Sequence, residues 1–74
     1  MNEKVDSVFA QVLSIGPDLD RSKLEYNVTP GWDSVAHMAL VAGLEEQFEC
    51  MLEIEDILDM RNYDKVVEIM TKYA

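Results

Sequence analysis

A serine and an aspartate stand at the start of a long helical pattern, in the segment Gly31-Trp32-Asp33-Ser34-Val35. Turn residues precede them and apolar periodicity follows, so Ser34 is predicted at the amino-terminal end of a helix. The first N–H groups of a helix have no partner within it, and the helix dipole is positive at this end. A hydroxyl here is suited to carry an anionic group such as a phosphodiester. The alternative is that Asp33 or Ser34 serves only as a helix cap.

A histidine follows this serine by three residues, which raises the question of a nucleophilic Ser–His pair. On a helix, however, the side chain of His37 projects about 60° away from that of Ser34. The pair would also need an oxyanion site and a group to orient the imidazole, and the sequence offers neither. We therefore predict that the chain is not an enzyme, and that His37 is a partly buried side chain bonded to the preceding loop.

The helix that positions Ser34 is predicted to run to about Glu49 and to carry two apolar faces. One face is a core stripe made of His37, Leu40, Val41, Leu44 and Phe48. The other consists of Val35, Met38, Ala39 and Ala42. A small domain has difficulty burying both faces of one helix. The second face therefore packs under the preceding loop, forms a partly exposed contact surface flanked by acids, or does both if the loop covers its far side.

The rest of the chain predicts three further helices and no strands. A first helix from Glu3 to Ile15 ends at Gly16-Pro17, because proline cannot continue it. A long loop follows from Asp18 to Trp32, with a helical turn near Arg21–Leu24. We expect four loop side chains to attach it to the core: Leu19, Leu24, Tyr26 and Val28. A short helix at Glu55–Met60 and a last one from Tyr63 or Asp64 to Tyr73 complete the pattern, so residues 1–74 are predicted to form one all-α domain, a small four-helix bundle.

The charge balance narrows the range of partners. The 74 residues hold 15 acids and 6 bases, for a net charge of −9, and the interval between Lys23 and Arg61 has no Lys or Arg. Nucleic acid and anionic membranes are therefore unsuitable partners, whereas a basic protein surface is suitable.

The sequence shows no signal peptide and no membrane span, so we expect a cytoplasmic protein. The single Cys50 excludes an internal disulfide, no metal site is expected, and nearby acids should disfavour the thiolate.

Several of these features together resemble the acyl carrier proteins. The similarity is strongest in Asp33-Ser34-Val35 and in the helix end Leu44-Glu45-Glu46-Gln47-Phe48, and it extends from Val5 to about Met70. It implies that Ser34 carries a phosphopantetheine arm, whose thiol holds an acyl group as a thioester. It also implies that Asp33 helps to engage the phosphopantetheinyl transferase. It also places on the partner-facing side Val35, Met38, Ala42, Glu45 and Glu46. Glu49, near the edge of the same face, is assigned to partner binding with them.

Some positions depart from the usual pattern of that family. Carriers of fatty acid synthesis have acids near the positions of Ala36 and Ala39, and Val35 replaces the usual Leu. Trp32 is also an uncommon residue two positions before the modified serine, and we expect it to pack on the loop rather than stand beside the arm. These differences favour a specialised carrier with its own partner enzymes.

The predicted function is that of a monomeric acyl carrier protein. It would deliver its cargo to basic docking surfaces on the enzymes of fatty acid, polyketide or other specialised acyl metabolism. One alternative is an aminoacyl or peptidyl carrier, including one that serves cell-envelope modification. The other is an unmodified acidic helical adaptor that binds a basic partner.

Overall fold

Four α-helices make up most of the part of the chain that the computed structural model describes, residues 3–16 and 19–73. They are α1 (Glu3–Leu13), α2 (Ser34–Phe48), α3 (Ile54–Asp59) and α4 (Tyr63–Tyr73), with a 3₁₀ turn at Arg21–Lys23. These bounds confirm the all-α prediction, including the short third helix and the turn within the long loop. Pro17 and Asp18, at the predicted end of the first helix and start of the loop, lie outside the described residues.

The first helix ends two residues earlier than predicted. Ser14 has a left-handed backbone conformation, with φ of 54°, directly after Leu13. A left-handed residue of this kind commonly closes a helix, and glycine usually fills the position. The helix therefore ends at Leu13, two residues before the approximate end predicted at Ile15, because a serine accepts this conformation at position 14.

The long loop is held against the chain between α3 and α4. The Tyr26 N–H donates to the Arg61 carbonyl at 2.8 Å, and the Tyr63 N–H donates to the Leu24 carbonyl at 3.1 Å. Of the four loop side chains expected to reach the core, Leu24 is buried and Tyr26 is half-buried, whereas Leu19 and Val28 are exposed. The prediction was wrong for these two, because only residues 24–26 of the described loop are paired with the chain between α3 and α4.

The core lies between one face each of α1, α2 and α4. The buried side chains of α2 are His37, Leu40, Val41 and Leu44, as its apolar stripe predicted. The three aliphatic residues among them meet Val5, Val8 and Phe9 of α1 and Val66, Ile69 and Met70 of α4 in one apolar cluster. Helices α1 and α2 approach closely at Gly43, where an added Cβ would lie 2.8 Å from Val8 Cγ1.

The short helix α3 is attached to the end of α4 by a polar cluster. Asp56 accepts hydrogen bonds from Lys72 Nζ at 2.8 Å and from the Tyr73 hydroxyl at 2.5 Å. The Tyr73 oxygen in turn accepts from the Glu53 N–H at 3.3 Å. Because α3 has only six residues and would not be stable alone, these contacts fix it in place.

This cluster predicts a pH dependence of stability. Hydrogen bonds from Lys72 and Tyr73 lower the pKa of Asp56, and the bond to Asp56 raises the pKa of both Lys72 and Tyr73. The Asp56 contribution is therefore present above about pH 4 and lost as the pH falls through the folded-state pKa. The contributions of Lys72 and Tyr73 are complete up to about pH 10 and lost above it.

We expect Asp56→Asn to lower the thermal midpoint between about pH 5 and pH 9, and to have a progressively smaller effect as the pH falls below about 4. Thermal unfolding followed by circular dichroism across this range measures the difference from the wild type. Glu55→Gln is the matched control, since Glu55 is an exposed neighbour on the same helix. A constant difference at every pH would contradict the assignment.

Candidate functional site

Ser34 is the first residue of α2, and its side chain is exposed. The cap of the helix is Asp33, whose Oδ1 accepts from the Ala36 N–H at 2.9 Å. Asp33 has the extended backbone typical of a capping residue, with φ of −103° and ψ of −171°. In the part of the chain described, the Ser34 hydroxyl takes part in no hydrogen bond. Of the two candidates for the cap, Asp33 fills the role and leaves Ser34 available for chemistry.

A tight turn of the backbone lies immediately before Asp33. The Trp32 N–H donates to the Thr29 carbonyl at 3.1 Å, and the Asn27 N–H donates to the Trp32 carbonyl at 2.7 Å. Gly31 lies inside the turn with φ of 93°, a conformation that favours glycine. The backbone is therefore held by hydrogen bonds immediately before Asp33.

Trp32 and His37 anchor the turn in the protein interior. The Trp32 side chain is 1% exposed, and its indole N–H donates to His37 Nδ1 at 3.1 Å. His37 Nε2 lies 3.0 Å from the Ile57 carbonyl oxygen. An indole N–H can only donate and a carbonyl can only accept, so the proton of the neutral imidazole is on Nε2.

These contacts confirm that His37 is a core residue bonded to the loop, and that Trp32 packs inside. Both ring nitrogens of His37 are engaged by Trp32 and Ile57, so the imidazole does not act on Ser34. The link to Ile57 was not predicted. Its only signal in the sequence was the position of a histidine within an otherwise apolar stripe.

The second apolar face of α2 is exposed. Val35 is 79% exposed and Met38 is 58% exposed, and Ala39 and Ala42 are exposed as well. The face therefore does not pack under the loop. Three further exposed apolar residues, Met51, Ile54 and Leu58, were not predicted. The spacing of Ile54 and Leu58 is helical, but a six-residue helix gives too short a pattern to assign a face.

The three acids assigned to partner binding have different surroundings. Glu46 and Glu49 are exposed, and neither forms an ion pair within residues 3–16 and 19–73. Glu45 is half-buried, and its Oε2 accepts from the Leu52 N–H at 2.9 Å. This carboxylate therefore also holds the loop between α2 and α3, a role that only the folded chain reveals.

Two other acids, from the interval between Lys23 and Arg61 that contains no Lys or Arg, form ion pairs with bases outside that interval. Asp59 lies 3.0 Å from Arg61 Nη1 and 3.4 Å from Lys65 Nζ, and Asp56 pairs with Lys72. Four of the acids that form no ion pair within the described residues lie at the end of α2 and in the following loop: Glu45, Glu46, Glu49 and Glu53. Burial and the nearby Glu45 raise the pKa of the Cys50 thiol, as the surrounding acids predicted.

The described part of the chain shows neither a group of three or more side chains arranged to hold a metal ion nor a helix able to span a bilayer. Comparison with protein-family models, curated proteins and solved structures finds no match. The geometry around Ser34 and the motif from Asp33 to Phe48 are therefore the basis for a functional proposal.

Proposed function

We propose that the chain is a carrier protein that holds an acyl group on a phosphopantetheine arm attached to Ser34. The observation that carries the proposal is the free, exposed hydroxyl of Ser34 at the start of α2, next to a helix cap already supplied by Asp33. If the Ser34 hydroxyl capped the helix, attachment of a group to it would remove the cap. Here Asp33 provides the cap, and the Ser34 hydroxyl remains free for attachment.

The attachment uses coenzyme A and a phosphopantetheinyl transferase. Ser34 Oγ forms a bond to the phosphorus that bears the pantetheine group, the bond from that phosphorus to the leaving 3′,5′-ADP breaks, and the hydroxyl proton is released. The Ser34 and Val35 N–H groups have no acceptor within the helix, and they and the helix dipole favour the phosphodiester anion. The terminal thiol of the arm supplies the thioester that holds the acyl group.

The exposed face of α2 supports the docking of partner enzymes. Val35, Met38 and Ala42 offer an apolar patch, and Glu46 and Glu49 offer negative charge beyond it. An enzyme with a basic surface would be steered to this end of the molecule and released again, as a carrier requires. We place the protein in the cytoplasm as a monomer, and its free Cys50 suits a reducing compartment.

The test is to incubate the purified apo-protein with coenzyme A and a broad-specificity phosphopantetheinyl transferase, and then to measure its intact mass. The expected result is one phosphopantetheine increment, mapped to Ser34 by peptide fragmentation. No increment under conditions that modify a control carrier would contradict the proposal. That result would favour the unmodified acidic adaptor, for which the same exposed surface is sufficient.

Replacing Asp33 separates its charge from its capping role. Asparagine caps helices as well as aspartate does. We therefore expect Asp33→Asn to keep the thermal midpoint but to slow the transferase reaction about tenfold, which corresponds to about 1.4 kcal/mol. Asp33→Ala should in addition lower stability by about 0.5–2 kcal/mol. Equal modification rates in wild type and Asp33→Asn would show that the transferase does not use this carboxylate.

Placing a charge on the apolar patch tests the docking surface. Met38→Asp should leave the thermal midpoint nearly unchanged, because the Met38 side chain is largely exposed. It should raise the apparent KM of the transferase for the protein about tenfold, through lost apolar contact and a charge buried on docking. Met51→Asp is the control, since Met51 is exposed but lies beyond α2. A large loss of thermal stability in Met38→Asp would place Met38 in the core.

A further inference from the structure

We infer that the acyl group stays outside the helical bundle, and that the natural cargo is therefore short or polar. The inference rests on the proposed function. An apolar chain on a flexible arm gains free energy by leaving water, so it would enter any apolar interior that could admit it. Entry of the chain therefore depends on whether the interior next to Ser34 has room for it.

The space beneath Ser34 is filled by aromatic rings of the chain itself. The Trp32 ring centroid lies 5.1 Å from that of Phe9 in an edge-to-face arrangement, and 6.1 Å from that of the nearly parallel His37 ring, to which it is hydrogen-bonded edge to edge. Tyr26 closes the other side, with its ring centroid 4.7 Å from His37 and 6.3 Å from Trp32. Trp32 and Phe9 are among the largest fully buried side chains of the protein. The interior next to the start of α2 is thus filled by the indole and its neighbouring rings.

Hydrogen bonds hold this arrangement closed. The bond from Trp32 to His37 joins the loop to α2, and the bond from His37 to the Ile57 carbonyl joins α2 to α3. A chain that entered between these elements would displace the indole and separate α2 from α3. It would leave buried N–H groups without acceptors, which is costly in a protein interior.

Among the described residues, the side of α2 that faces α1 is also closed at Gly43. At Gly43 the helix approaches α1 so closely that even a methyl group would overlap Val8. Leu40 and Leu44, on the buried stripe between these two sides, are both fully buried. A long acyl chain would therefore remain in water or on the exposed patch of Val35 and Met38, which leaves much of its apolar surface exposed. A short or polar group has little apolar surface, so its exposure to water costs little free energy.

The experiment compares two cargoes on the same protein. A transferase that accepts acylated coenzyme A loads Ser34 with a butyryl or a tetradecanoyl arm, and intact mass confirms each product. The thermal midpoint and the fluorescence of Trp32, the single tryptophan of the chain, are then recorded. Retention on a hydrophobic-interaction column measures whether the acyl chain is accessible.

The expected result is that both forms have the same thermal midpoint and the same Trp32 emission maximum, while the tetradecanoyl form is retained more strongly. A midpoint raised by more than about 4 °C in the tetradecanoyl form, with a shifted emission maximum, would show that the chain enters the core and would overturn the inference. Absence of any mass increment with either ester and with coenzyme A itself would instead overturn the proposed function.

A variant that opens the space tests whether Trp32 is the cause. In Trp32→Leu we expect the tetradecanoyl form to melt at a higher temperature than the butyryl form, in contrast to wild type. Trp32→Phe, which keeps a ring but loses the bond to His37, provides a second variant if Trp32→Leu does not fold. Equal midpoints for the two cargoes in a folded variant would show that Trp32 does not exclude the chain.

Discussion

Ser34→Ala is expected to abolish phosphopantetheine attachment completely while leaving the stability of the protein unchanged. The hydroxyl oxygen is the atom that forms the bond to phosphorus, so no residual modification remains without it. The helix should not be weakened, because the capping hydrogen bond to the Ala36 N–H comes from Asp33. Alanine also has the highest helix propensity of all residues, which suits the first position of α2.

The measurement is the intact mass after incubation with coenzyme A and transferase, together with the thermal midpoint of the unmodified variant. Ser7→Ala is the matched control, since Ser7 is an exposed serine within α1. It should be modified at the wild-type rate. Modification of Ser34→Ala at another residue would disprove the assigned site, and a clear loss of stability would mean that the Ser34 hydroxyl supports the helix.

Leu44→Ala is expected to reduce the free energy of unfolding by about 2–5 kcal/mol. Leu44 is 0% exposed and lies in the cluster that joins α1, α2 and α4, so truncation leaves a cavity among tightly packed neighbours. A domain of this size has a net stability of only about 3–5 kcal/mol. The substitution should therefore bring the variant close to unfolding at room temperature.

Urea unfolding followed by circular dichroism measures this loss. Leu58→Ala is the control, because Leu58 is the same residue type on a helix but is 79% exposed. It should change the unfolding free energy by less than about 0.5 kcal/mol. Similar losses in both variants would contradict the core assignment.

Phe48 belongs to the same predicted stripe but differs from Leu44 in the structure. Its ring is half-buried, and Lys4 Nζ lies 5.4 Å from the ring centroid. The sequence placed both residues in the core with equal weight. The position of Phe48 at the last turn of α2 reduces its burial, so Phe48→Ala should cost less than Leu44→Ala.

The sequence by itself determined the helices and the faces of α2. The spacing of apolar residues places His37, Leu40 and Leu44 on one face and Val35 and Met38 on another, because the helical repeat fixes these directions. Local signals also indicated the short turn at Arg21–Lys23 and the start of α2 at Asp33-Ser34. All these features depend on residues that are close together in the chain.

Only the tertiary structure shows which groups surround Ser34 and which contacts the side chains of α2 make. Of the two local candidates for the cap it selected Asp33. It also turned the second face of α2 to solvent, bonded His37 to the Ile57 carbonyl of α3, and engaged Glu45 with the Leu52 N–H. The sequence could not reveal these two hydrogen bonds, because they depend on how the chain turns after α2 and how the helices pack, and a helical repeat contains no information about either.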